Sequence, residues 1–81
     1  MAKEKYLLTC VNEDHRVVSA EIYTERDKAR GALARSFLAE KESAYDSGYD
    51  EDSISEDVSA DYAHLRYGSE NEYYWQITKI S

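Results

Sequence analysis

Apolar and polar positions divide the chain into five patterned stretches, four of strand character and one of helical period. Residues 5–12 alternate as a strand, with Tyr6, Leu8 and Cys10 on one side and Leu7, Thr9 and Val11 on the other. The polar run Asn12-Glu-Asp-His-Arg16 has the length of a hairpin loop, and Val17 to Tyr23 resumes β-branched and aromatic character. From Glu25 to about Ala44 the period lengthens to that of a helix. Ala29, Ala32, Leu33, Phe37 and Ala44 form one apolar stripe, and Leu38 points away from it. Thr24 stands where a hydroxyl caps the first free amides, and Glu25 and Asp27 suit the positive end of the helix.

Periodicity fails between Asp46 and Asp57, where turn formers and carboxylates surround an isolated Ile54, and this segment reads as a long exposed loop. Val58 to Tyr67 reads as a third strand, Gly68 to Asn71 as a turn, and Glu72 to Ile80 as the strongest β segment. The expected fold is α+β, in the order ββαββ: a four-stranded, mainly antiparallel sheet with one face against the single helix. The other face is left without a second layer, so a partner or a second copy is expected to cover it, and a homodimer is one such arrangement.

Length supports one domain spanning residues 1–81, and its core must be thin, because Leu, Ile, Val and Phe number 14 of 81 residues. Eight Tyr and Trp75 make up the shortfall with large apolar bodies that keep a polar tip. The lone Cys10 cannot form an internal disulfide and reads as a buried thiol, which points to a reducing, cytoplasmic setting. No apolar run approaches the length of a membrane span.

Charge placement changes the picture more than charge total. Between Glu42 and Asp61 lie eight carboxylates and no Lys or Arg, whereas the remainder holds nine acidic and ten basic residues; the net charge of −7 therefore belongs to this stretch. Such a surface repels nucleic acid and anionic membrane and attracts basic proteins. Candidate chemistry does not compete with that reading. Cys10, His15 and His64 form no recognisable nucleophile and base signature. A calcium loop begun at Asp50 has Ile54 and Ser55 where an oxygen ligand and a Gly are required. Zinc spacing and phosphate-binding Gly loops are absent, and no cofactor is expected.

The expectation is a non-enzymatic protein that binds a basic partner surface through Asp46, Tyr49, Asp50, Glu51, Asp52, Glu56 and Asp57. In it, carboxylates stand in for phosphates, and tyrosines such as Tyr45, Tyr49 and Tyr62 stand in for bases. The alternative is a structural or regulatory module that associates through an aromatic sheet face carrying Tyr62, Tyr73 and Trp75.

In size, acidity, ββαββ order, the segment Tyr-Asp-Ser-Gly-Tyr-Asp-Glu-Asp and the closing Tyr-Tyr-Trp-Gln-Ile-Thr-Lys-Ile, the chain resembles small acidic proteins of bacteriophages and mobile elements, anti-CRISPR inhibitors among them. The resemblance is one of general character and carries no residue positions across. It implies a nucleic-acid-binding protein or a nuclease as the partner, with its DNA or guide-RNA channel occupied. Arg26, Lys28, Arg30 and Arg35 on the helix make any such mimicry one-sided.

Overall fold

A computed structural model describes residues 4–68 and 71–80. Its elements are β1 (Tyr6–Asn12), β2 (Val17–Tyr23), α1 (Arg26–Asp46), a single 3₁₀ turn (Glu51–Ser53), β3 (Ile54–Val58), β4 (Tyr62–Tyr67) and β5 (Asn71–Lys79). The five strands form one antiparallel sheet in the order β2-β1-β5-β4-β3, and α1 packs across one face of it.

The α+β class with one helix on one face is the architecture expected; the strand count is not. The segment 46–57, read as a loop, contributes the last residue of the helix, a 3₁₀ turn and most of an edge strand. In β3, Ile54, Glu56 and Val58 point toward the helix side, opposite Tyr67, Leu65 and Ala63 of β4. Only Ile54 is packed against the core. An edge strand needs little more than backbone pairing on one side, so its sequence lacks the apolar alternation of an inner strand. The stretch 58–67 accordingly holds the last residue of β3, a turn closed by Ser59 N–H donating to the Tyr62 carbonyl at 2.8 Å, and β4. The turn expected over 68–71 falls partly outside the described residues.

The helix-facing side of the sheet holds the core: Tyr6, Leu8 and Cys10 of β1, Ala63, Leu65 and Tyr67 of β4, and Trp75 and Ile77 of β5. Ala29, Leu33, Phe37 and Ala44 of the helix stripe meet them, and Leu38 is exposed. Trp75 is fully buried, stacks edge-on to Phe37 at 5.6 Å and donates its indole N–H to Ser36 Oγ at 2.8 Å. That bond satisfies the one polar atom of the largest core side chain.

The helix start differs from the reading centred on Thr24. Its N-cap is Glu25, and no side-chain bond caps it; Glu25 instead pairs with Lys28 at 3.0 Å. The helix end is tightly organised. Ser47 is the C-cap, Gly48 N–H donates to the Tyr45 carbonyl and Tyr49 N–H to the Ala44 carbonyl, at 3.0 and 3.1 Å. This is a Schellman motif, and it requires the left-handed backbone that Gly48 adopts, φ 96°. The residue after the Gly in this motif packs back on the helix, as Tyr49 does beside buried Ala44.

Candidate functional site

The acidic stretch forms a corner where the C-terminal end of α1, the 3₁₀ turn and β3 meet. Its backbone is fixed from beneath. Tyr49 stacks edge-on to Tyr67 at 5.2 Å, and its ring lies over Gly68, where an added Cβ would stand 2.9 Å from the ring. Tyr67 continues to Tyr73 at 6.3 Å and Tyr73 to Trp75 at 5.9 Å. A row of aromatic rings thus runs from the centre of the core to the corner. Burial raises the Tyr67 hydroxyl to about 12, so it stays protonated as part of that row.

The seven residues expected to bind a partner do not act alike in this geometry. Asp46 ends the helix, and Glu51 and Asp52 project from the 3₁₀ turn; all three are exposed. Asp50 is also exposed, but its carboxylate caps the turn by accepting from Ser53 N–H at 3.1 Å. Glu56 faces the helix and pairs with Lys41 at 2.8 Å. Asp57 opposes His64 and so lies on the other side of the sheet. Tyr49 is half-buried, and its ring is spent on packing; it is not a free stacking surface. The exposed ring at the corner is Tyr45, at the rim of a recess of about 150 Å³ lined also by Lys41, Glu51, Ile54 and Glu56.

Two cations of the helix hold the stretch in place. Lys41 pairs with Glu56, and Arg30 donates to Asp61 at 2.8 Å, which holds the Asp61 carboxyl below its ordinary range. Among the described residues, no ion pair reaches Glu42, Asp46, Asp50, Glu51, Asp52 or Asp57. The last turn of α1 contains no basic residue, so Glu42 and Asp46 stand at the negative end of the helix dipole. They are also four residues apart, a spacing at which like charges repel. Local stability alone favours cations there.

The aromatic interface needs correction. Tyr73 and Trp75 point to the helix side, and Trp75 has no exposed surface, whereas Tyr62 lies on the open side. Alternation along β5 separates them, since residue 74, not 73 or 75, shares a face with Tyr62. On the open side Tyr62, Tyr74, Thr9, Val11, His15 and Gln76 line a groove of about 290 Å³. Tyr74 stacks on His64 at 4.5 Å, and Glu72 accepts from the Tyr74 hydroxyl at 2.8 Å and contacts His64 Nε2 at 3.1 Å. The sequence signal missed was strand parity.

Burial raises the Cys10 thiol to about 11, which leaves it in the unreactive protonated form at neutral pH. Among the described residues, no three His, Cys, Asp or Glu side chains are placed to hold one metal ion, and no helix is long and apolar enough to cross a membrane. The chain matches no protein-family model, no curated protein and no solved structure.

Proposed function

We propose that the chain is a non-enzymatic interaction protein that presents its acidic corner to a basic surface of a partner protein. The observation that carries this reading is the placement of Glu42 and Asp46 against the helix dipole, in the same stretch as exposed Glu51 and Asp52, with no cation among the described residues paired to any of them. Carboxylates kept where they oppose the fold are accounted for by a cation supplied from outside it. The exposed Tyr45 ring offers a flat face to an arginine of the partner, as a base would.

The partner class is a nucleic-acid-binding protein or a nuclease, whose Lys- and Arg-lined channel matches a rigid group of carboxylates. In this role the protein blocks by occupancy, in the manner of a nucleic-acid mimic, and does not itself bind nucleic acid. The phage and mobile-element character of the sequence supports that class of target.

The test is binding to a panel of phage-targeted nucleases across a salt series. The triple variant Asp46→Lys, Glu51→Lys, Asp52→Lys leaves the Asp50 cap and the Glu56–Lys41 pair intact. Expected are binding that weakens steeply with salt, competition by duplex DNA or guide RNA, and loss of binding in the triple variant. Salt-independent binding, or a triple variant that binds like the parent, would refute the assignment.

A further inference from the structure

The two edges of the sheet are defended very differently. At one edge, β3 is five residues long and carries Glu56 and Asp57. Short length and charge are devices that keep an edge strand from pairing with another chain. At the other edge, β2 is seven residues long, Val-Val-Ser-Ala-Glu-Ile-Tyr, with Glu21 its one charged residue. The helix also reaches β2, yet six of the seven β2 residues are exposed. Three of the chain's exposed large apolar side chains lie here: Val17 at 62%, Val18 at 55% and Ile22 at 61%.

We propose that β2 is a homodimerisation edge, and that two copies pair antiparallel through it about a twofold axis at Ala20. Charge selects a second copy as occupant. Residues 5–35, which include β1, β2 and the first half of the helix, hold six Lys or Arg against five Asp or Glu, so the β2 side is close to neutral. A basic partner is drawn to the acidic corner, whereas another copy of this acidic chain meets least repulsion at β2. In the resulting ten-stranded sheet the two β3 edges are separated by nine strand spacings, roughly 43 Å, about five Debye lengths or more at physiological salt.

Side-chain chemistry selects the register. An axis at Ala20 sets Val18 of one copy opposite Ile22 of the other, twice, and Glu21 opposite Ser19. An axis at Glu21 would oppose two carboxylates, which destabilises a strand pair. Ala20 and Ile22 share the open side of the sheet with Leu7 and Thr9, so Ile22 of each copy carries the apolar strip of β1 to the axis. A β-bulge at Val18, where pairing passes from Cys10↔Ser19 to Val11↔Val17, blunts only the start of the strand and leaves Ser19 to Tyr23 regular for pairing.

A contact built on one strand is smaller than a standard interface, so dimer and monomer exchange with dilution. Sedimentation velocity over a dilution series, on the parent and on Val18→Lys, Ile22→Lys and Leu38→Lys, tests the proposal. Leu38 is 54% exposed on the helix and serves as the control. The axis repeats each β2 substitution, so both β2 variants lower dimer affinity by about tenfold or more. At dilutions where the parent is monomeric their circular dichroism and melting match the parent's, and Leu38→Lys dimerises normally. Under oxidant, Ala20→Cys gives a disulfide-linked dimer while buried Cys10 does not. A parent that is monomeric at every concentration, β2 lysine variants that dimerise like it, or an Ala20→Cys chain that fails to cross-link overturns the proposal.

Discussion

Replacing Asp46 by Lys separates the two forces acting on the acidic corner. In the parent, Asp46 is the last residue of α1, makes no side-chain hydrogen bond among the described residues and stands four residues after Glu42. The substitution removes an anion from the negative end of the dipole and adds a cation there, each change contributing about 0.3–1 kcal/mol at low ionic strength. It also converts a repelling pair into a Glu-to-Lys pair in the favourable order, worth about 0.2–0.5 kcal/mol for each half of the change. The gain is about 1–2 kcal/mol after partial screening, and each kcal/mol corresponds to a rise in Tm of roughly 4–8 °C in a domain of this size. Differential scanning calorimetry at low salt reads it directly. In about 1 M salt, where the Debye length is ~3 Å, only the small difference in helix propensity should remain. A Tm that is unchanged or lower at low salt, or a gain indifferent to salt, refutes the claim that these carboxylates oppose the fold. The same variant should bind the partner more weakly, so stability and affinity move in opposite directions.

Three further outcomes follow from the packing. Gly68→Ala forces a Cβ to within 2.9 Å of the Tyr49 ring at a residue with φ 68°, so it should destabilise by about 1–3 kcal/mol, seen as a lower urea midpoint with loss of the Tyr49 to Tyr67 contact by NMR. Ser36→Ala leaves the buried Trp75 indole N–H unpaired, and chemical denaturation should show a loss of about 1–3 kcal/mol; Ser36→Thr, which keeps the hydroxyl, should retain most of it. Acid should unfold the protein through its paired carboxylates. The Arg30 bond lowers the Asp61 carboxyl from its ordinary 3.8, and the Tyr74 and His64 bonds lower Glu72 from 4.5. The stability they add is complete above those unfolded values and is lost as pH falls through the lower folded ones. Arg30→Gln should flatten that limb of a pH titration followed by circular dichroism.

Elements whose reasons are local were legible in the sequence. The alternation of β1, the β-branched and aromatic character of β2 and β5, and the stripe Ala29, Leu33, Phe37, Ala44 are all local signals, and all four elements form within one or two residues of their expected bounds. The strand β3 escaped because its reason is non-local: Ser55, Glu56 and Asp57 have no β tendency of their own and are held by pairing with β4. The corner was half legible. Its charge could be counted, but not the division that gives Asp50 to a cap, Glu56 to Lys41 and Asp57 to the opposite face. Gly48 followed by an aromatic residue was the available clue, because a Gly just past a helix with an apolar residue after it marks a Schellman end. Read that way, Tyr49 belongs to the interior. The open side of the sheet was anticipated in general, but parity along β5 decides that Tyr74, not Tyr73 or Trp75, faces outward.

The Schellman end of α1 bears on how such a protein can change over generations. The path of the corner is set by Ala44, Gly48, Tyr49 and Gly68 together with the Asp50 cap and the Glu56–Lys41 pair, while the side chains proposed to meet a partner sit between them at Asp46, Glu51 and Asp52. Shape and message are therefore written in different letters. A lineage pursuing a mutating target can respell the exposed positions one by one and keep the same turn. The same separation makes the corner a place to graft a chosen recognition sequence.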